Sequence, residues 1–323
     1  MPHDHFIAQT YLRNFGDSTH GGMLHGYRKS DGAQFPCWPK DVCREWDGDL
    51  NPVWLAGRED LLGQFRKIFE PIWRVAAETL LLGSFSAQDK LAIAGYVANL
   101  MNCTPAWRRV AVQVYNDHAI AYLSFAKRMK EKHGGDPTLP VDGIAMLEAG
   151  ELELEYDPDY IKAVVTRRLL DTAWLMYNQD WVVLANSTAH PFVTSDNPVA
   201  IIGASELGKP LTRFVPITPK LGIQIIMSRR KLPKLDVTLP PLGHVAQRSI
   251  GGPEAKRLNK MVARSAEELV FSSVRSAGIS ALVRNAARFR MEVDFVEFPA
   301  NEPDAVYQGS ILAVQESKQA HHP

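Results

Sequence analysis

The chain has 323 residues, enough for one large domain or two ordinary ones. Its 36 Lys and Arg balance 36 Asp and Glu, which argues against a global electrostatic pull toward nucleic acid or anionic membrane and leaves only a local basic groove. With 46% hydrophobic residues, no long apolar run and no signal-like start, the sequence predicts a cytoplasmic, soluble globular protein and no membrane partner.

The first predicted element is the segment HDHFIAQTYLRNF from His3, unusually dense in polar groups for a chain start. If helical, it puts His5 and Gln9 one turn apart and sends Phe6, Thr10 and the stretch around Leu12 and Phe15 to the core; if extended, His3 and His5 share a side and can chelate a metal. Next, GGMLHGYRKSDGAQFPCWPKDVC reads as a hairpin with a type I′ turn at Asp31-Gly32 and an edge strand carrying Pro36 and Pro39. Cys37, Cys43 and Cys103 match neither a disulfide framework nor a zinc pair and are expected as free thiols.

From Arg58 a 3.6-residue rhythm predicts a helix that Pro71 should bend or divide. Ser86 and Asp89 form a capping-box signature, and Thr104-Pro105 caps and starts a further helix running to His133, with Gly134-Gly135 as its stop. The alternation in GELELEYD predicts a short exposed strand, and Asp157-Pro158 opens a helix continuing toward Asn178. From Trp181 the runs WVVLA, PFVTS, VAIIG, TRFVPIT and GIQIIM read as short strands. Two helices flanking the strand ELVFSS and a last strand MEVDFVEFP follow. The expectation is a single α+β domain over 1–303. It has a β frame from 1–57 and 181–303, a helical block over 58–180, a mixed or antiparallel sheet, and a polar tail over 304–323.

Chemistry is sought first in the two polar segments. A neutral imidazole at His5 can serve as acid, base or metal ligand, and Gln9 can position a substrate without titrating; local capping is the structural reading of both. In the turn Thr194-Ser195-Asp196-Asn197-Pro198, Asp and Asn can simply stabilise the turn through their own backbone. Alternatively, the turn presents Ser195 and Asp196 to a cleft, where Asp196 acts as base or binds a metal. Arg108-Arg109, Lys127-Arg128-Lys130 and Arg229-Arg230-Lys231 can touch phosphate or form solvated faces. No nucleophile elbow, P-loop, dinucleotide fingerprint, HExxH or EF-hand pattern occurs.

HFIAQTYLRNF, LHGYRKSDG, FVTSDNPV and FVPITP together resemble the bacterial domain-of-unknown-function 4238 family. Its members typically open with an H-x-x-P-Q-x-Y-L-x-x-F-like signature, matched by His5, Gln9, Tyr11, Leu12 and Phe15. A later turn of the family is matched by Ser195, Asp196, Asn197 and Pro198. Ala8 replaces the family's usual proline, and Cys103 stands where arginine is expected. The resemblance implies an architecture and a shared site built from both segments, with the helical block as one wall. The expected function is a hydrolase, such as a nuclease, acting on a phosphodiester or nucleotide. His5, Asp196 and Ser195 are the catalytic candidates, and Gln9, Tyr11, Asn197 and Arg108 the substrate-binding ones. The cofactor stays open, a divalent metal being compatible with the set. The alternative is a non-catalytic module in bacterial defence that binds a ligand or a protein partner.

Overall fold

The computed structural model describes residues 3–46, 48–51, 60–133, 141–202, 211–228, 230–299 and 306–317. The chain begins with β1 (His3–His5), the short helix α1 (Gln9–Leu12), β2 (Leu24–Arg28), β3 (Gln34–Cys37) and β4 (Arg44–Trp46). The helical block is α2 (Leu61–Leu82), α3 (Ala87–Cys103), α4 (Pro105–His133), α5 (Val141–Glu148), α6 (Pro158–Arg167) and α7 (Leu169–Tyr177). Then come β5 (Asp180–Ala185), β6 (Thr194–Ser195), β7 (Ala200–Ile202), β8 (Thr212–Thr218), β9 (Leu221–Ile226) and β10 (Val245–Ser249). The described chain closes with α8 (Gly252–Ser265), β11 (Leu269–Ser272), α9 (Ala277–Ala286), β12 (Phe289–Pro299) and β13 (Val306–Glu316). The fold is α+β.

The largest sheet has the order β10-β5-β9-β8-β7 and is mixed, with β10 parallel to β5 and every other pair antiparallel. Alternate residues of its strands enter two different cores. Trp181, Val183, Val215, Ile217, Ile223 and Ile225 pack with α2, α3 and α7, whereas Leu184, Phe214 and Ala200 pack with α8 and α9. Burial on both faces explains why β5, β7, β8 and β9 read as continuous apolar runs. A second, antiparallel sheet of order β3-β2-β11-β6 links the N-terminal hairpin to the C-terminal half.

Several expected features take another form. Asp31-Gly32 is not a type I′ turn: Gly32 alone adopts positive φ (68°), and the Asp31 carboxylate accepts from the Ala33 amide. Helix α2 runs undivided through Pro71. GELELEYD forms no strand, since no neighbouring chain pairs with it, and the helix from Pro158 breaks at Arg168 into α6 and α7. Thr104 caps α4 by position only, because its buried hydroxyl has no hydrogen-bond partner. Most of the expected polar tail is β13, paired along its length with β12. The capping box of Ser86 and Asp89 is present, Pro36 sits on the edge strand β3, and all three cysteines are free. Gly134-Gly135 lie outside the described residues, in which no helix is long and apolar enough to cross a membrane.

Lys90 of α3 joins the block to the sheet. Its buried ammonium donates to the carbonyls of Gln179 and Gly243, both at 2.8 Å, and lies 5.3 Å from the centre of the Trp181 ring. Burial pushes its pKa down to about 8 from 10.5. The unfolded chain therefore binds more protons between these values, so this lysine's contribution to stability rises with pH across that window. Lys90→Met should lower the melting temperature by orphaning two buried carbonyls, and the gap to wild type should widen from pH 8 toward pH ~10. Thermal denaturation of both proteins across that range checks the sign.

Candidate functional site

Tyr11 and Thr194 bring the two polar segments together. The buried Tyr11 hydroxyl donates to the Pro216 carbonyl at 2.6 Å and so accepts from the Thr194 hydroxyl at 2.9 Å. Its ring packs on Phe15, Trp73 and Tyr96, the last two stacked with centroids 4.6 Å apart. This is a packed joint where an open cleft was expected.

The Ser-Asp-Asn turn is turned inward. Ser195 and Asn197 are fully buried and Asp196 is 5% exposed. The Ser195 hydroxyl accepts from the Asn197 amide at 3.2 Å, and the Asn197 side chain donates to the Ser265 carbonyl at 2.7 Å. Asp196 accepts three backbone N–H bonds, from Glu267 (2.9 Å), Glu268 (2.7 Å) and Leu269 (2.8 Å). Burial pushes its carboxyl up to about 6, against the downward pull of those amides and of Lys29. Lys29, pushed down to about 8 mainly by burial, donates to the carbonyls of Ala266 and Phe289 at 2.6 and 2.7 Å. Asp196 and Lys29 thus clamp the link between α8 and β11 from opposite charges.

The remaining sequence candidates are spread out. The half-buried His5 ring donates through Nε2 to the Lys40 carbonyl at 3.1 Å, and burial lowers its pKa. Gln9 accepts from Arg13 at 3.3 Å and, with Arg13, Trp38 and Lys40, lines a pocket of about 390 Å³. Arg108 is held by Glu45 at 2.5 Å, Arg109 by a two-pronged pair with Glu267 at 2.7 and 2.9 Å, and Arg230 by Asp180. These cations already have partners, while Arg128, Lys130 and Arg229 carry no described side chain.

A different cluster is open to a pocket. Asp17 and His20 lie in the loop between α1 and β2 and His25 lies on β2 itself, with one ligand atom of each within 4.8 Å of the others. The loop closes because Gly16 meets the Gly22 carbonyl, where a Cβ would stand 2.5 Å from the oxygen, and because Gly22 takes φ 90°. Asp17 Oδ1 accepts from the Thr19 amide and hydroxyl at 2.9 and 2.6 Å, while Oδ2 faces His20 Nδ1 at 2.8 Å and His25 Nε2 at 2.9 Å. The Thr19 hydroxyl first, and then His25, hold the Asp17 carboxyl well below the usual carboxylate range. An ionised carboxylate only accepts, so both facing ring nitrogens carry their protons toward it. The triad lines a cavity of about 540 Å³ with Tyr27, Gln34, Phe35 and Arg275.

The sequence signal for this cluster is D-x-x-H-x-x-x-x-H, a spacing that matches none of the metal motifs sought above. Two imidazoles and a carboxylate facing an open pocket are a donor set suited to a divalent transition metal.

The family described as protein of unknown function (DUF4238) matches residues 3–276, and the chain belongs to that family. No curated protein and no solved structure matches the chain.

Asp196→Asn should cost about 3 kcal/mol, because an amide offers one acceptor oxygen to three N–H groups and turns an NH₂ against them. Chemical denaturation of the variant checks the loss. Thr188→Ala, whose hydroxyl makes only local bonds with Asn186 and His190, should cost less.

Proposed function

We propose that the protein is a cytoplasmic bacterial hydrolase of phosphodiester or nucleotide substrates, dependent on a divalent metal held by Asp17, His20 and His25. The convergence of these three side chains on one pocket is the observation that carries the reading. His20 Nδ1 and His25 Nε2 stand 2.8 and 2.9 Å from Asp17 Oδ2, with all three atoms within 4.8 Å of one another, so these three side chains would hold a divalent ion once they open around it. Both rings would shift their proton to the nitrogen facing away, leaving a lone pair for the ion. Three protein ligands leave a position for water or substrate, as in catalytic rather than structural sites. When bound, such an ion polarises a phosphoryl oxygen and lowers the pKa of its water.

Arg275 on the same pocket supplies the cation that a phosphate needs. In the overall reaction the water oxygen bonds to phosphorus, and the ester oxygen leaves with the electrons of the broken bond and takes up a proton. The three free thiols suit a reducing cytoplasm. Ser195, Asp196 and Asn197, sealed in the clamp, hold the fold in this reading, and His5 anchors the strand that leads to the loop.

The test is cobalt(II) titration followed by visible absorption, together with hydrolysis of bis-p-nitrophenyl phosphate under Zn²⁺, Mn²⁺ and Co²⁺. Wild type should develop the d–d bands of a nitrogen- and oxygen-bound ion and turn over substrate; His25→Ala and Asp17→Asn should lose both while staying folded. Undiminished hydrolysis in His25→Ala would sink the assignment. A folded wild type that binds no metal and hydrolyses nothing returns the loop to a hydrogen-bonded clamp and the protein to a non-catalytic binding module.

A further inference from the structure

The C-terminal end of α9 carries an unbalanced positive pocket. A cavity of about 670 Å³ is lined by Lys260, Arg264, Arg284, Arg288, Asn285 and Phe289, among others, with no carboxylate among the described residues of its lining. The Arg264 guanidinium lies 3.7 Å from the centre of the Phe289 ring, and its Nε is buried without a hydrogen-bond partner. Arg288 approaches the same ring at 5.3 Å and pairs at 3.2 Å with the exposed Glu316. Compensation of the helix dipoles accounts for cations in the last turns of α8 and α9. It does not account for a buried, unanswered donor beside a cavity that could hold several phosphate oxygens.

Helix α9 connects this pocket to the triad. Val274 and Arg275, just before its start, line the triad pocket, while Leu282 and the residues from Arg284 to Phe289 line the basic one. Between them Ala277, Ala281, Arg284, Asn285 and Arg288 follow helical spacing on one side. Small residues stand at the triad end and the cations at the other. Ten residues span about 15 Å, the length of four to five nucleotides at about 3.4 Å per step.

We propose that the basic pocket binds backbone phosphates of a single-stranded nucleic acid whose chain runs along α9 toward the Asp17-His20-His25 pocket. The proposal rests on the catalytic reading for the direction of the strand, but not for its binding.

The experiment is fluorescence anisotropy of a labelled eight-nucleotide thymidine strand with the full chain in EDTA, repeated across a salt series. The surface variant Lys260→Glu/Arg284→Glu leaves the core untouched, since both side chains are exposed. It should bind at least tenfold more weakly, with a salt slope shallower by about 1.4, at about 0.7 per phosphate contact for two contacts. Arg74→Glu, an exposed substitution on α2 outside both pockets, should bind the strand like wild type. Equal binding by the double variant, or an equal loss of binding in Arg74→Glu, overturns the proposal. Displacement of a labelled ATP by pyrophosphate without any strand binding also overturns it, and makes the pocket a site for free polyphosphate. Strand binding that depends on Lys260 and Arg284, without hydrolysis under any metal, upholds the pocket and removes the catalytic reading instead.

Discussion

The hydroxyl of Tyr11 is the point on which the three layers meet. Its ring belongs to the aromatic stack of α2 and α3, its proton goes to the β8 carbonyl of Pro216, and its lone pair takes the Thr194 hydroxyl of β6. Burial raises the phenol far above its ordinary pKa, so at physiological pH it is a neutral group that must donate somewhere. Only the assembled sheet supplies that acceptor. Because Tyr11 lies in the first fifteen residues, this joint also fixes where the following loop begins, and with it the positions of Asp17, His20 and His25.

The second polar segment, Thr194–Pro198, does comparable work for the opposite end of the chain. Helix α8 must stop at Ser265 and the chain must enter β11 four residues later, which leaves amides of Glu267–Leu269 in a half-buried connection. Asp196 accepts all three, Asn197 answers the Ser265 carbonyl, and Lys29 caps the carbonyls beside them. Buried backbone groups need partners, and a charged pair provides many from little volume. A motif that looks reactive on paper is therefore consumed by the architecture.

Charge neutrality likewise conceals an uneven distribution. Arg108, Arg109, Arg230 and Arg248 are answered by Glu45, Glu267, Asp180 and Glu254, so these cations are committed to ion pairs within the fold. One group of cations, Lys260, Arg264, Arg284 and Arg288, gathers at the end of α9, around Phe289. The net charge of zero bears on the average surface, while a ligand meets only the local field.

Much of the fold was legible because it rests on local rules. The capping box at Ser86, the proline start at Pro105, the edge proline in β3 and the β-branched runs after Trp181 each follow from neighbours in sequence. Features that rest on pairing were not legible: β10 reads as exposed polar chain and gains strand character only by lying parallel to β5, and β13 only from its hairpin with β12. The site divides in the same way. Residue order alone determined that two polar segments, around Tyr11 and Asp196, would be structurally specified. Tertiary structure decided that they face inward, since a side chain's role depends on whether its partners are water or backbone. It also decided that the open imidazole and carboxylate groups converge in the loop at Asp17, because closing that loop at Gly16 and Gly22 brings together residues that a linear reading leaves apart.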